Sequence, residues 1–591
     1  MSHHPNEVLQ RARIARSVLT LVFVALASAF FRAQVVRSEE FALQSESNRL
    51  REVPLPGARA IIYDRNKEII AENIAGYSVS ILTPKEDSLR AAMRALARVV
   101  NIDSAQQERV IRRFRNAPNR PAVIFNDAPF DIVSVLEEHR IEFPGLIIQS
   151  APKRYYPDGP AVAAFVGYTG EISPQDLLKE KFADYKAGQQ VGKGGLELQY
   201  EARLRGSEGM RYVEVDARNR VVRESGVRPD VAPEAPAPMM TNIDMDLQRF
   251  AHEYFGDSLR GAMVALEPAT GKVLALYSAP TYDINKFIGG VSSEYYASLQ
   301  ADERRPLYNK ATQGTYPPAS TYKLATAAIA LERGIVTMDT HMEQPCTGSF
   351  MYGGRPFKCW DHSGHGDISL AQAIAKSCDV YFYQLGLKMG LLNLVAGGVR
   401  LGFLGKAGID LPEESQARFP DGAKYFDKKY GPRGWTNSSG MVLNMSIGQG
   451  DNAQTPLNMA KFYTALAIDG KSATPRIVDT TIVRTETLNL DPVKLRGLQL
   501  ALGDVLTRGT GAGAQIKGLT IAGKTGTAQN NDKTRDHAWF VGYAPVEQPK
   551  IVVAVLLEYG LHGTAAAKVA TKMMERYLKA KLTLTSITPD G

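Results

Sequence analysis

The sequence predicts an α+β protein carried on one N-terminal transmembrane helix, with an elongated pedestal domain followed by a domain built on a central antiparallel sheet. The observations behind this are an apolar run beside the N-terminus, a proline- and alanine-rich tract near residue 230, and near-continuous apolar strands at both ends of the C-terminal part. At 591 residues the chain is too long for one ordinary core, so two or more domains are required.

The apolar run is Val18 to Phe31, preceded by Arg11, Arg13 and Arg16 and followed by Arg32. It is short for a bilayer helix, which takes roughly 20 residues, but Arg32 can snorkel and Ala33 to Val36 extend the span. Residues 1–16 then form a cytoplasmic tail and 17–36 a single-pass anchor, with the remainder exported. A cleaved signal peptide is the rival, with Ala27-Ser28-Ala29 as its cleavage site; the polar stretch Arg37 to Arg51 suits a stalk and favours the anchor.

Residues 37–228 are assigned to the pedestal. Within it Ala60 to Asn66 reads as a strand entering a polar turn, and Glu68 to Ala71 resumes the apolar pattern. Between Ser88 and Asn116 apolar residues recur at helical spacing opposite arginines, predicting two amphipathic helices. The tract Arg228 to Pro238 is poor in core residues, so 229–240 is read as a linker and 241–591 as a second, C-terminal domain. There, Ala262 to Leu266 and Val273 to Tyr277 flank a turn-rich hairpin connection, and similar strands recur at His537 to Tyr543 and Ile551 to Leu557 before a helical Thr564 to Lys581. Such strands imply a sheet covered on both faces that joins its own termini.

The net charge of +8 is spread over the chain, which fits a basic surface near an anionic membrane or wall polymer as well as an ordinary soluble surface. No zinc-finger, basic-zipper or aromatic RNA-binding signature is present, so nucleic acid is not an expected partner.

Chemistry concentrates in three places. In Gly314-Thr-Tyr-Pro-Pro-Ala-Ser320-Thr-Tyr-Lys323, Ser320 starts a helix and Lys323 shares its face, so a neutral lysine amine could take the serine proton. Alone, an N-cap serine before an exposed lysine explains this as well. Ser377-Cys378-Asp379 closes a helical stretch, and Ala522-Gly-Lys524-Thr525-Gly526-Thr527 reads as a strand carrying a basic residue.

In that order the motifs resemble the penicillin-binding, serine-active D,D-peptidase and β-lactamase superfamily, with its S-x-x-K, S-x-N and K-T-G elements. Gly448-Gln-Gly450 with Thr455-Pro456, and Gly509-Thr-Gly511, match the same domain over residues 240–580. The resemblance implies that Ser320 attacks the penultimate D-Ala carbonyl of a stem peptide and releases terminal D-Ala, with Lys323 as base and Ser377 relaying a proton. Lys524 would supply positive charge, Thr525 and Thr527 would bind the substrate carboxylate beside Gly526, and the backbone N–H groups of Ser320 and Thr527 would form the oxyanion hole. β-Lactams would trap Ser320. Asp379 departs from the family's usual Asn: an aspartate accepts hydrogen bonds but cannot donate, leaving pairing with Lys323 or Lys524 as its alternative role.

Asn48-Arg49-Leu50, Pro56 to Asn66, Val166-Gly-Tyr168 with Glu171, and Gly192 to Glu197 through Tyr200, Leu204-Arg-Gly206 and Gly209 resemble class B penicillin-binding proteins, most nearly the elongation branch called penicillin-binding protein 2. Ala60 stands where that family usually has Gly. The resemblance implies peptidoglycan cross-linking in cell elongation and rod-shape maintenance, at the bacterial inner membrane with the catalytic domain in the periplasm. It also implies as partners a polytopic glycan polymerase and a scaffold of the rod-shape complex. Rival readings are a division-specific transpeptidase, a penicillin-sensing or scaffold protein without turnover, and a β-lactamase.

The chain's three cysteines fall with one histidine as Cys346, Cys359, His365 and Cys378. Three thiolates and an imidazole are a ligand set for tetrahedral structural zinc, with His362 and Asp361 as competing ligands. A Cys346 to Cys359 disulfide with Cys378 buried is the alternative. A metal there would brace Ser377 and Asp379, and no cofactor is required for the chemistry itself.

Overall fold

The computed structural model describes residues 5–39, 50–83, 85–116, 120–216, 221–223, 229–436, 439–479, 481–486, 488–529, 535–560 and 562–585. Asn48 and Arg49 of the family pattern, most of the expected stalk, and Arg228 lie outside these residues. The first helix, Pro5–Phe31, runs on through a π-helical turn, Arg32–Val36. Of this, the 29 residues Val8–Val36 are long and apolar enough to cross a membrane, spanning about 43 Å at helical rise. The helix starts well before residue 17 because Glu7 to Arg16 holds good helix formers and no breaker.

In the pedestal, Leu50–Leu55, Gly209–Val215 and Val221–Arg223 form a three-stranded sheet. A five-stranded sheet is built on the long strand Ile69–Ile81, which pairs with Ile62–Tyr63, Ala122–Phe125 and Leu146–Tyr155. The strand expected over Ala60 to Asn66 shortens to Ile62–Tyr63 because Asp64 Oδ1 accepts from the backbone N–H groups of Asn66 and Glu68, both at 2.7 Å, and turns the chain. The helices Glu86–Leu96 and Ser104–Asn116 are where periodicity placed them, burying Leu89, Met93, Leu96, Val110, Ile111 and Phe114 in one core.

The tract expected as a linker is docked instead. Val231 and Glu234 bridge to Met210 and Ser207, and Met239–Met240 adds a parallel strand to Ile62–Tyr63. Proline fixes extended backbone and lacks an N–H, which suits a sheet edge as well as a linker.

The catalytic domain's sheet runs in the order Val273–Ala279, Gly261–Leu266, Ile551–Leu557, His537–Ala544, Ala522–Ala528, antiparallel throughout. Gly261 pairs with Leu557, so the domain's first and last strands meet. Its three inner and outer apolar strands Gly261–Leu266, Val273–Ala279 and Ile551–Leu557 are buried at every residue, as a sheet covered on both faces requires. Each fully buried valine or leucine contributes about 1.5–3 kcal/mol. Helices Met245–Phe255, Pro456–Ala467, Pro492–Thr507 and Gly563–Thr585 supply the cover. The motif strand Ala522–Ala528 is left as the sheet's edge, beside the turn Ala319–Tyr322.

Pedestal and catalytic domain share one apolar core, in which Val162, Phe165 and Leu196 join Met245, Ala251 and Leu276, with polar contacts beside it. Tyr200 Oη donates to Asp410 Oδ2 at 2.8 Å, and the Gly195 N–H donates to Glu413 Oε2 at 3.3 Å.

Candidate active site

Two prolines lead the chain into a 3₁₀ turn, Ala319–Tyr322, which feeds the helix Lys323–Glu332. Ala319 adopts φ +51°, costly for a residue with a Cβ and of the kind that persists where surrounding structure enforces it. The enforcement is visible: the Ala319 N–H donates to Gly448 O at 2.9 Å, and a Cβ at Gly448 would lie 2.1 Å from Ala319 O. The Gly448-Gln-Gly450 signature therefore buys close approach to the turn that presents Ser320. Ser320 is half-buried, one turn ahead of Lys323.

Lys323 is fully buried in an apolar helix, with Nζ 2.8 Å from Ser377 O, 3.3 Å from Ser377 Oγ and 2.7 Å from Asp379 Oδ1. Ser377 is the left-handed cap (φ +57°) of the helix Leu370–Lys376, which begins in a Ser369/Gln372 capping box. Cys378 then caps the next helix, Asp379–Met389. The second motif is thus a corner between two helices, and the corner aims both Ser377 and Asp379 at one ammonium. Of Asp379's two open roles, pairing with Lys323 is the one observed. Its other oxygen accepts the Trp360 N–H at 3.0 Å.

Lys524 comes from the edge strand and is fully buried, its Nζ donating to Thr525 O at 3.1 Å. Burial, with the charge of Lys323 adding to it and Asp379 opposing, pushes its pKa well below the ordinary lysine value. Thr525 and Thr527 share one face of the strand: the Thr525 hydroxyl lies 2.6 Å from that of Thr510 and is buried, while Thr527, nearer the strand's end, is exposed. Gly526 lets the strand lie on the nucleophile turn, since a Cβ there would come within 3.2 Å of Pro318 O. Being an edge strand, it leaves outward N–H groups without a strand partner, as an oxyanion hole needs.

Cys346, Cys359, His365 and Cys378 place one ligand atom each within 4.8 Å of one another, and all three cysteines are free thiols, not a disulfide. His365 Nδ1 lies 3.6 Å from Cys346 Sγ and 3.5 Å from Cys359 Sγ. Ligands around tetrahedral zinc with bonds of about 2.3 Å stand about 3.8 Å apart, so the donor set fits such an ion. The Cys359 and Cys378 thiols are hydrogen-bonded to each other, which with the His365 contact holds the Cys359 thiol below its usual range. Asp361 Oδ2 stands 3.9 Å from His365 Nε2, on the ring nitrogen facing away from the sulfurs, so it supports the histidine from outside the cluster. His362 is exposed and outside it.

Sequence reasoning missed Trp360. Its indole Nε1 donates to Lys376 O at 3.0 Å while its backbone holds Asp379. Adjacency to Cys359 was the one available signal.

A serine on a strained turn, a buried lysine, a polar corner and a lysine-bearing edge strand define a serine-active acyl-transfer domain of the penicillin-binding class. The penicillin-binding protein transpeptidase domain model matches residues 261–578 and the penicillin-binding protein dimerisation domain model residues 54–234. The chain belongs to the penicillin-binding protein transpeptidase family, in its class B, and is most like penicillin-binding protein 2. The peptidoglycan D,D-transpeptidase MrdA of Haemophilus influenzae is 32% identical over 98% of this chain and 93% of that protein. The structure of penicillin-binding protein 2 of Helicobacter pylori in complex with MreC superposes with a TM-score of 0.78 at 28% identity, covering 90% of this chain and 100% of that one. A structure described as showing coordination of polymerization and crosslinking by a peptidoglycan synthase complex gives 0.67 at 25% identity, covering 98% and 99%.

Proposed function

We propose that this chain cross-links peptidoglycan by serine D,D-transpeptidation in cell elongation, with Ser320 as nucleophile. Family membership and likeness to MrdA support the enzyme class and the elongation role. The residue roles rest on one observation, the fully buried Lys323 held between Ser377 and Asp379 one turn from Ser320.

Ser320 Oγ attacks the penultimate D-Ala carbonyl as its proton passes to the lysine group, and the oxyanion settles on the N–H groups of Ser320 and Thr527. Lys323 is the base that takes that proton, with Ser377 and Asp379 holding its Nζ in place. The C–N bond breaks as Ser377 relays a proton to the departing D-Ala amine. Thr527, exposed at the cleft, and the Thr525/Thr510 pair meet the substrate carboxylate. A β-lactam follows the first half of this course and stops at the acyl-enzyme.

Zinc on Cys346, Cys359, His365 and Cys378 would be structural, fixing the corner that carries Ser377 and Asp379. The N-terminal helix anchors the chain in the inner membrane with its catalytic domain in the periplasm, the orientation favoured by arginines on the N-terminal side. A scaffold of the MreC kind and a polytopic glycan polymerase are the partners.

Incubating the detergent-solubilised chain with fluorescent penicillin tests this. The label is expected on the peptide containing Ser320 and absent from Ser320→Ala. Covalent label on the alanine variant contradicts the assignment.

A further inference from the structure

Against the helix Asp379–Met389 stands a hairpin, Ser349–Tyr352 paired with Arg355–Lys358, closed by Gly353 and Gly354 with φ of +57° and +74°. Both of its stems run into the Cys/His cluster, through Cys346 before the first strand and Cys359 directly after the second. Cys346 exchanges backbone hydrogen bonds of 2.9 Å with Gly366, and the Cys359 N–H donates to Gly348 O at 2.9 Å. Glycine is needed where these stems cross: a Cβ at Gly348 would lie 2.1 Å from His362 O. The arm is therefore pinned to Cys378, inside the second catalytic motif. Its underside is also fixed, with Tyr383 Oη donating to Lys358 O at 3.1 Å.

Its outer surface is apolar and basic. Met351 is 61% and Trp360 56% exposed, beside exposed Tyr352, Arg355 and Lys358, and no acidic residue occurs between Cys346 and Trp360. Lys376, whose carbonyl holds the Trp360 indole, is exposed as well. Among the described residues, Arg355, Lys358 and Lys376 enter no ion pair. One residue links this surface to the reaction centre: Trp360, which displays the indole, also holds through its N–H the carboxylate paired with Lys323.

We propose that this arm binds the acceptor of the cross-linking reaction, a glycan strand bearing carboxylate-rich stem peptides. The inference rests on the transpeptidase reading and deepens it by seating the second substrate. Unpaired cations complement the acceptor's carboxylates, and the exposed aromatic faces suit sugar rings and peptide. Seated there, the acceptor's amine attacks the Ser320 acyl carbonyl. A new C–N bond forms, the ester C–O bond breaks, and the amine's proton returns to Ser320 Oγ through the Lys323 and Ser377 group.

The test compares full-length protein with an Arg355→Glu/Lys358→Glu variant in three assays: acylation by fluorescent penicillin, exchange of a free D-amino acid into a small donor, and cross-linking of polymeric uncross-linked strands. In the variant the first two are expected within about twofold of the unmodified chain, while strand cross-linking falls about tenfold through KM and loses its salt dependence. Arg355→Lys/Lys358→Arg is expected to restore it. Unchanged strand cross-linking overturns the inference. So does an equal fall in D-amino-acid exchange, which would make the arm a support for the chemistry rather than a seat for the strand. Failure of the unmodified chain to be acylated is a different result, and it sinks the transpeptidase reading itself.

Discussion

Two regions of the molecule bury charge, and they do it in opposite ways. In the pedestal, Arg59 and Arg154 face Glu197 and Glu201: Arg59 donates to Glu197 Oε2 at 2.9 Å and to Glu201 at 2.9 and 3.1 Å, and Arg154 to Glu197 Oε1 at 2.7 Å. Burial works against these charges, yet the glutamates hold Arg59 above its usual range, and the arginines hold Glu197 below its own. In the cleft, two lysines are buried near one aspartate that pairs with Lys323, while Lys524 Nζ donates to Thr525 O and burial holds its pKa below the ordinary lysine value. Balanced burial makes a lock that ties residue 59 to residue 201. Unbalanced burial stores the capacity to move a proton.

The contrast is broken most severely at Lys524. Lys524→Met is expected to slow penicillin acylation about 10²–10⁴-fold while leaving the protein at least as stable at neutral pH, since it removes a poorly partnered buried amine. Acylation kinetics and thermal melts on one preparation check this, and a variant that loses both rate and stability would mean the cleft is a lock too.

Glu197→Gln attacks the balanced group. It takes the carboxylate from buried Arg154, while Arg59 keeps Glu201, and is expected to cost about 3–5 kcal/mol in denaturant unfolding, with acylation of the folded fraction unchanged. The two groups also titrate in different windows. Glu197, depressed from 4.5, gives stability that is present above that value and lost as pH falls through its folded pKa. For Lys524, depressed from 10.5, the unfolded chain binds more protons between the folded pKa and 10.5, so stability climbs with pH there, and the advantage of Lys524→Met should shrink accordingly.

Chelation is a smaller perturbation. Stripping metal from the full-length protein is expected to lower its melting temperature by roughly 2–4 °C and to slow acylation, with zinc restoring both; mass spectrometry finding no metal in the purified chain would contradict the zinc assignment. Asp379→Asn should have the least effect on rate, keeping acylation within about tenfold. Because Asp379 is a charge that opposes deprotonation of Lys524, the acid limb of the acylation profile is expected to move to lower pH.

Much of this was legible in the sequence, for identifiable reasons. Helices at 86–116 and the fully buried sheet follow from apolar periodicity, which tertiary packing reinforced. The order of motifs singles out Ser320, Lys323, Ser377 and Lys524, and of these the structure brings Lys323 to Ser377 and to Asp379. What escaped depends on backbone placement. Trp360 acts on Asp379 through its N–H, which any residue but proline supplies, so its identity carries no trace of that role. The docking of the 229–240 tract likewise reflects a sheet edge that local composition does not announce.

The central claim, that the reactive cleft holds a lysine whose pKa its burial pushes below the ordinary value, is tested most directly by titrating Lys524. With ¹³C-labelled lysine Cε and Lys524→Arg to assign the signal, the resonance is expected to titrate well below 10.5. A titration at or above 10.5 would mean that Lys524 is as firmly charged as the pedestal's arginines, and would contradict the account.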